Sequence, residues 1–454
     1  MKIEQKNIYF VGIGGIGMSA LARYFNQKGH NVAGYDRSTT DLTKRLQTEG
    51  IVVSSMGEED SIPFTHRDKK DTLVVFTPAI SAENPILSYF RENGFECLKR
   101  AQVLGILSEG LKTIAVAGTH GKTTVSSMIA YILHTSGVKI NAFLGGISRD
   151  FGTNLIVEEG AEIMVTEADE FDRSFLQLNP NLAVITSIDL DHLDIYKDEK
   201  DLLKTYGQFA NQINSDGVLY SKTNVVNQLK LKSGVELKTY GSDDAEVRYG
   251  NLKIEDGNFH FDLLIGGKQL KDVKCGLPGI HNVENASVAI ALCMELGLSA
   301  EDCKKAIATF QGVKRRFDVH IKRKDFIYID DYAHHPQEIE ALLKSVRQMY
   351  PNKKITLVFQ PHLYSRTRDF GDEFAEVLRK ADQTVLLDLY PAREKPIEGI
   401  DSFWLASKID KSSVPVYNKS QLMNYLKDEK VEVLLTVGAG DIDTLVPELI
   451  SYYE

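Results

Sequence analysis

The sequence predicts an α/β protein of three domains built largely on parallel sheets. Three observations carry that expectation. Short runs rich in β-branched and aromatic residues alternate with helix-period stretches almost throughout, the pattern of strands joined by crossover helices. A glycine turn twice follows an apolar strand and opens a helix, at Gly12 and at Gly118. The chain is 454 residues long, and at roughly 150 residues per domain that length corresponds to about three domains.

The first segment opens with the strand Asn7–Val11 (NIYFV), a glycine turn and a helix over Ile16–Lys28. Strands follow at Asn31–Tyr35 and Thr72–Phe76, and helical stretches over Asn84–Gly94 and Ala101–Ser108 close a first domain, residues 1–108. The second domain, 109–318, begins with Thr113–Ala117 (TIAVA), a glycine turn and a helix from Lys122, with strands at Glu162–Thr166 and Leu182–Thr186. Between residues 245 and 275 apolar and polar residues alternate between turn residues, which predicts a small antiparallel sheet. Helices over Val283–Leu296 and Ala300–Thr309 lead to Lys314-Arg315-Arg316-Phe317. The third domain, 319–454, carries strands at Phe326–Ile329, Ile355–Phe359, Thr384–Leu387 and Glu432–Val437, with helices between them.

Composition narrows the function classes. Lys and Arg total 53 against 63 Asp and Glu, a formal charge of −10, which disfavours a nucleic-acid or anionic-membrane binder. Hydrophobic residues at 43% and charged residues at 26% fit a globular enzyme rather than a disordered chain. Cys97, Cys275, Cys293 and Cys303 form no CxxC pair, so buried thiols in a reducing compartment are expected. No signal-type leader and no apolar run of about 18 residues is present, so the expected location is the cytoplasm.

Gly12-Ile13-Gly14-Gly15-Ile16-Gly17 matches GxGxxG between a strand and a helix, and Asp36 stands 24 residues beyond Gly12. Glycines permit close backbone approach, and a helix N-terminus favours an anion. Gly12, Gly14, Gly15, Ile16, Gly17 and Asp36 are therefore candidate pyrophosphate-site residues, with the attached nucleoside left open. The second loop, Gly118-Thr119-His120-Gly121-Lys122-Thr123-Thr124, has the GKT core of a P-loop. Its amides would cradle phosphate oxygens, the Lys122 ammonium would offset negative charge, and the Thr123 hydroxyl could ligate Mg²⁺. The leading glycine is at 118, and position 116 is Val, so the loop departs from GxxxxGKT. Two phosphate loops imply two nucleotides, whereas a dehydrogenase needs only the first and a simple kinase only the second.

With AGTHGKTT, EADEFDRSFL, SIDLDHLD, GIHNVENASVAIA, VKRRFD, DDYAHHPQEI, FQPHLYSRTRDF and VGAGDI, nearly the whole chain resembles the Mur ligases, ATP-dependent amide-forming enzymes of peptidoglycan synthesis. The resemblance implies a Rossmann-like N-terminal domain for the UDP end of a nucleotide sugar, a central P-loop ATPase domain and a Rossmann-like C-terminal domain that closes over ATP and binds the amino acid. GIGGIGMS, DDYAHHP and FQPHLYSRTRDF are similar to the branch that joins L-alanine to UDP-N-acetylmuramate; a neighbouring branch joins a peptide to the same acid. A carboxylate is a poor acyl electrophile, so attack on the ATP γ-phosphate would first make an acyl phosphate, and the amine would then displace phosphate.

The resemblance also implies roles. Glu167, with Thr123, would hold one Mg²⁺ and His192 a second. Asn285 would face the adenine side of ATP, Arg316 the phosphates and Asp331 the ribose. Lys122, His192, His334, His335 and Arg366 would be the catalytic set, either histidine orienting alanine or accepting a proton, and Arg366 clamping a carboxylate or phosphate by its planar fork. Leu363 stands where many relatives carry Arg, one cation fewer than the pattern implies. No lysine stands where several relatives carry a carbamylated one after the DH motif; Tyr206 and Gly207 occupy that spacing. Without the resemblance, a helix cap would account for Asn282 and the DDYAHHP turn, and a solvated charge run for Lys314–Arg316.

Overall fold

The computed structural model describes residues 3–454 except 190–194, 242, 243, 256, 393 and 410–413. Its strands form three sheets. In the first, Asn7–Val11 lies at the centre of five parallel strands in the order Val52–Ser54, Asn31–Tyr35, Asn7–Val11, Thr72–Phe76, Glu96–Lys99. Ile8, Tyr9, Phe10 and Val11 are wholly buried because both faces of the sheet are covered, which is why the strand is continuously apolar. Strand order reverses at Asn7–Val11, so the carboxyl ends of this strand and of Thr72–Phe76 open the crevice where such sheets collect ligands. The helix Ile16–Gln27 begins there.

The second sheet has ten strands: Lys268–Cys275, Asn258–Ile265, Val247–Glu255, Glu236–Gly241, Val218–Lys222, Leu182–Ile185, Lys112–Ala117, Ile163–Glu167, Ile140–Phe143 and Leu155–Val157. Lys112–Ala117 runs parallel to both neighbours, so Gly118, Glu167 and Thr186 all stand at the carboxyl ends of three adjacent strands. The first three strands of the series make the expected hairpins. Asn258–Ile265 and Lys268–Cys275 are joined by Gly266 and Gly267, both with positive φ (+52° and +83°), as a two-residue hairpin turn requires.

The third sheet has the order Asp318–Lys322, Ile327–Asp331, Val433–Val437, Ile355–Phe359, Gln383–Leu387, Val416–Tyr417, parallel except for its first pair. The expected strand at Phe326–Ile329 starts one residue later and continues to Asp331, which brings two aspartates to its end.

The chain divides into two compact units, 1–251 with 261–273 and 284–310, and 252–260 with 274–283 and 311–454. The first sheet shares its unit with most of the second. Polar contacts join them: Arg23 donates to Thr153 and to Asn154 Oδ1 (3.3 Å), Asn154 Nδ2 donates to Ile16 O (2.6 Å), and Arg45 donates to Gly152 O (2.6 Å). Of the cysteines, Cys275, Cys293 and Cys303 are buried as expected, whereas Cys97, on the strand Glu96–Lys99, is only half-buried. Among the described residues no helix is long and apolar enough to cross a membrane.

Candidate active site

At the first loop, Gly12 has φ +89°, and a Cβ there would stand 2.8 Å from Thr77 Cγ2. Asp36 shapes this loop directly: its Oδ2 accepts from Gly14 N (2.8 Å) and its Oδ1 from Ser38 N (3.0 Å). In a dinucleotide fold the equivalent acid faces a ribose; here both oxygens are engaged by backbone. Gly15 caps the helix Ile16–Gln27 with no side-chain acceptor, so its first amides face the crevice. Gly17 leaves room for Arg100, whose Nη1 would lie 2.7 Å from a Cβ at that position.

The second loop is built the same way. Gly121, in the left-handed region (φ +85°), caps the helix Lys122–Thr135 without a side-chain bond. Lys122 Nζ donates to Gly118 O (2.6 Å) and Thr119 O (3.3 Å) and pairs with Glu170 at 2.8 Å. Burial would lower this ammonium's pKa, but the carboxylates of Glu170, Glu167 and Asp169 outweigh it and hold the group charged, above its ordinary value. Thr123 Oγ1 donates to Glu167 Oε2 at 2.8 Å. Thr119 Oγ1 donates to Asp189 O (3.0 Å) and accepts from Asp189 N (2.8 Å), while His120 N donates to Ser187 Oγ (3.1 Å). These bonds stitch the loop to the segment that follows Leu182–Ile185. Asn285, buried, has its Oδ1 3.1 Å from where a Cβ on Gly121 would lie, and Thr124 is buried in the helix's first turn. The helix that carries Asn285 starts at Ile280, so Asn282 sits inside its first turn, donating to Pro278 O (2.7 Å), rather than capping it. His192 lies outside the described residues.

Thr123 and Glu167 offer hard oxygen donors to a cation, and among the described residues no cluster of three His, Cys, Asp or Glu could cage one. That donor set fits Mg²⁺, which keeps its waters and takes one or two protein oxygens besides substrate phosphates. A cavity of about 240 Å³ runs from the first loop to the end of the strand Ile163–Glu167, lined by Ile16, Gly17, Thr77, Arg100, Glu167 and Asp169 among others. Arg100 pairs with Asp169 (3.2 Å) and Lys99 with Asp172 (2.7 Å). Sequence reasoning missed these two cations. Their signal was their place: they stand at the N-terminus of the helix Arg100–Ser108, where positive charge is disfavoured by the helix dipole. Asp172 and Arg173 adopt φ +53° and +54°, a strained corner that begins two residues after Glu170.

In the second unit, Asp331 ends its strand with Oδ2 accepting from Phe317 N (2.6 Å) and Oδ1 from Ala333 N (2.7 Å). Burial pushes its carboxyl up to about 6, against the pull of Arg316 and those two amides. The rings and cations of the two adjacent motifs meet at Tyr332, with Arg315 and Arg316 each about 5 Å from its ring centre (5.0 and 5.1 Å). Arg315 belongs to the fold, pairing with Asp330 (3.3 Å) and donating to Gly438 O (2.5 Å). Arg316 instead lies 3.6 Å from Glu338 and is partly exposed. Glu338, another residue the sequence did not single out, accepts from His334 N (2.9 Å) and His335 N (3.3 Å). The two histidines part company. His335 is buried, caps the helix Pro336–Met349 by accepting from Gln337 N, and packs edge-on against Phe370. His334 stays partly exposed, with Nδ1 3.0 Å from Tyr332 O and 3.3 Å from Glu338 Oε2. Arg366 is buried, its Nη1 3.3 Å from His362 Nδ1, while Arg368 is paired with its neighbour Asp369. Leu363 is held at φ +70°, ψ 132°, so the strain belongs to the backbone at this position whichever side chain it bears.

Parallel sheets that end in two glycine-rich strand–loop–helix turns, one of them with a lysine paired with the buried Glu170, have the architecture of a nucleotide-dependent α/β enzyme. Comparison with known proteins places it more narrowly. Sequence profiles for the "Mur ligase family, catalytic domain", the "Mur ligase middle domain" and the "Mur ligase, glutamate ligase domain" match residues 7–111, 116–293 and 315–440. The chain is 47% identical to a UDP-N-acetylmuramate–L-alanine ligase of Christiangramia forsetii, over 96% of this chain and 95% of that protein. It is 46% identical to one of Flavobacterium psychrophilum, over 97% and 96%. The solved UDP-N-acetylmuramate-alanine ligase of Thermotoga maritima superposes with a TM-score of 0.83 at 27% identity, covering 98% of this chain and 99% of that one. The chain belongs to the Mur ligase family.

Proposed function

We propose that this enzyme joins L-alanine to the muramyl carboxylate of UDP-N-acetylmuramate, converting ATP to ADP and phosphate, to make a peptidoglycan precursor. The observation that carries the reading is the cavity that runs from the first glycine loop to Glu167, the carboxylate that accepts from Thr123 of the second. It lets a pyrophosphate on Gly12, Gly14, Gly15, Ile16 and Gly17 and a sugar acid reaching toward Glu167 belong to one molecule. Relatives bearing that activity in their names match over nearly the whole chain at 43–47% identity.

In this reading residues 1–108 bind the UDP-sugar, 109–318 bind ATP, and 319–454 close on ATP and take the amino acid. Lys122 neutralises the γ-phosphate as the muramyl carboxylate attacks it, giving an acyl phosphate and ADP. Alanine's amine then attacks the acyl carbon, losing a proton as phosphate leaves. Thr123 and Glu167 would hold Mg²⁺ and His192 a second ion, and such ions would offset the repulsion between the two anions. Thr119 and His120 hold the loop in register, Asn285 borders the nucleotide, and Arg316, His334 and Arg366 supply the third domain's polar groups. Substrates of this kind, an acidic chain and cysteines in no disulfide fit the cytoplasm.

The deciding assay follows ADP release with UDP-N-acetylmuramate and either L-alanine or a peptide as acceptor. Release with L-alanine is expected; release with the peptide alone would replace this reading by that of a peptide ligase. Binding of NADH would point instead to an oxidoreductase.

A pH test addresses Asp331. Ribose hydroxyls donate hydrogen bonds, so the ionised carboxylate is the binding form. The KM for ATP is expected to rise as the pH falls below about 6, and Asp331→Asn to remove that part of the dependence. The effect on the fold has the opposite sign. A carboxyl raised from 3.8 to about 6 favours the protonated folded form, so stability is gained as pH falls from 6 toward 3.8.

A further inference from the structure

Gly145 follows the strand Ile140–Phe143, which pairs with Ile163–Glu167. Its φ does not lie in the left-handed region, so the backbone there would accept alanine without strain. Space is what forbids it. A Cβ at Gly145 would overlap the Glu167 carboxylate, meeting Oε2 most closely and standing 2.6 Å from Cδ and 3.0 Å from Oε1. The same Oε2 accepts the Thr123 hydroxyl at 2.8 Å. The carboxylate beside the phosphate loop thus occupies the volume that a side chain at position 145 would fill. We infer that Gly145 is a positioning residue for the metal site: the missing side chain lets Glu167 turn toward Thr123. The inference rests on the reading of Thr123 and Glu167 as cation ligands.

Because the clashing atoms are the far end of a flexible side chain, Gly145→Ala should fold and relieve the overlap by swinging Glu167 away from Thr123. Residues that orient metal ligands are commonly worth about 10- to 100-fold in metal affinity, and a loss of that size is expected here. Two readouts measure it: Mn²⁺ binding, by electron paramagnetic resonance, to protein carrying a non-hydrolysable ATP analogue, and the Mg²⁺ concentration for half-maximal alanine-dependent ADP release. Melting temperature should change little. The second variant, Glu167→Asp, withdraws the carboxylate by one methylene. It should be harmful in the natural background and much less so when combined with Gly145→Ala, a dependence that a purely structural role would not produce. Unchanged metal affinity in folded Gly145→Ala overturns the inference, as does equal harm from Glu167→Asp in both backgrounds. Failure of Gly145→Ala to fold also overturns it, since the backbone would then be what the glycine serves. If the unmodified enzyme releases no ADP with alanine, the proposed reaction fails while Mn²⁺ binding still decides the role of Gly145.

Discussion

Lys122→Ala is expected to reduce alanine-dependent ADP release by at least about 1000-fold, the upper range for removing one preorganised charge-stabilising group, and to leave UDP-sugar affinity nearly unchanged. The ammonium is positioned by Gly118 O and Thr119 O, within a loop whose other side chains are the His120 imidazole and three threonine hydroxyls. It is the loop's one lysine or arginine. The substitution has a second consequence. Glu170, only 3% exposed at its side chain, loses the charge 2.8 Å away, and breaking one partner out of a buried pair costs about 3–5 kcal/mol. A drop in melting temperature alone would thus say nothing about catalysis. Lys122→Ala combined with Glu170→Gln separates the two effects: stability should largely return, because no orphaned charge remains, while turnover should not. Loss of UDP-sugar binding with ATP affinity intact would reverse the assignment of the two loops.

What could be read from the sequence, and what could not, follows from distance along the chain. Each glycine loop is a local feature, in which strand, turn and helix are consecutive and the conformational demand falls on a few adjacent residues. Those loops, the central strands and the hairpins after residue 245 were legible for that reason. Val52–Ser54 and Leu155–Val157 are three residues each, too short to show a period, and exist as strands because a neighbouring edge accepts them. The polar partners of the site were hidden by separation. Glu170 stands 48 residues from Lys122, and Asp169 stands 69 from Arg100. No periodicity links such pairs; only the juxtaposition of strand ends does. Glu338 lies closer to the histidines it holds, but in sequence its carboxylate is indistinguishable from any acidic residue in a helix's first turn.

The run Lys314-Arg315-Arg316 shows how packing divides a motif that composition treats as uniform. Arg315→Ala should destabilise the third sheet's unit by about 3–5 kcal/mol, the range for stranding a buried ionic partner. Asp330 is fully buried, and Arg315 also donates to Gly438 O and Gly440 O at the end of Val433–Val437. Arg316→Ala should change stability by less than about 1 kcal/mol, as expected for a partly exposed pair. Its guanidinium rests on the face of Tyr332 and lies 3.6 Å from Glu338. Its expected effect is on ATP use, seen as a raised KM or lowered kcat in a protein that melts normally. Thermal unfolding of both variants across pH adds a signature specific to Arg315. Burial, partly opposed by Arg315, pushes Asp330 up to about 6. Below that pH the carboxyl is protonated in the folded protein and no longer needs a cation. The melting difference between Arg315→Ala and the unmodified protein should therefore narrow as the pH falls through 6, while that of Arg316→Ala stays small throughout. A difference that widens in acid, or an Arg316→Ala protein that unfolds more readily than Arg315→Ala, would mean that the two arginines have exchanged these roles.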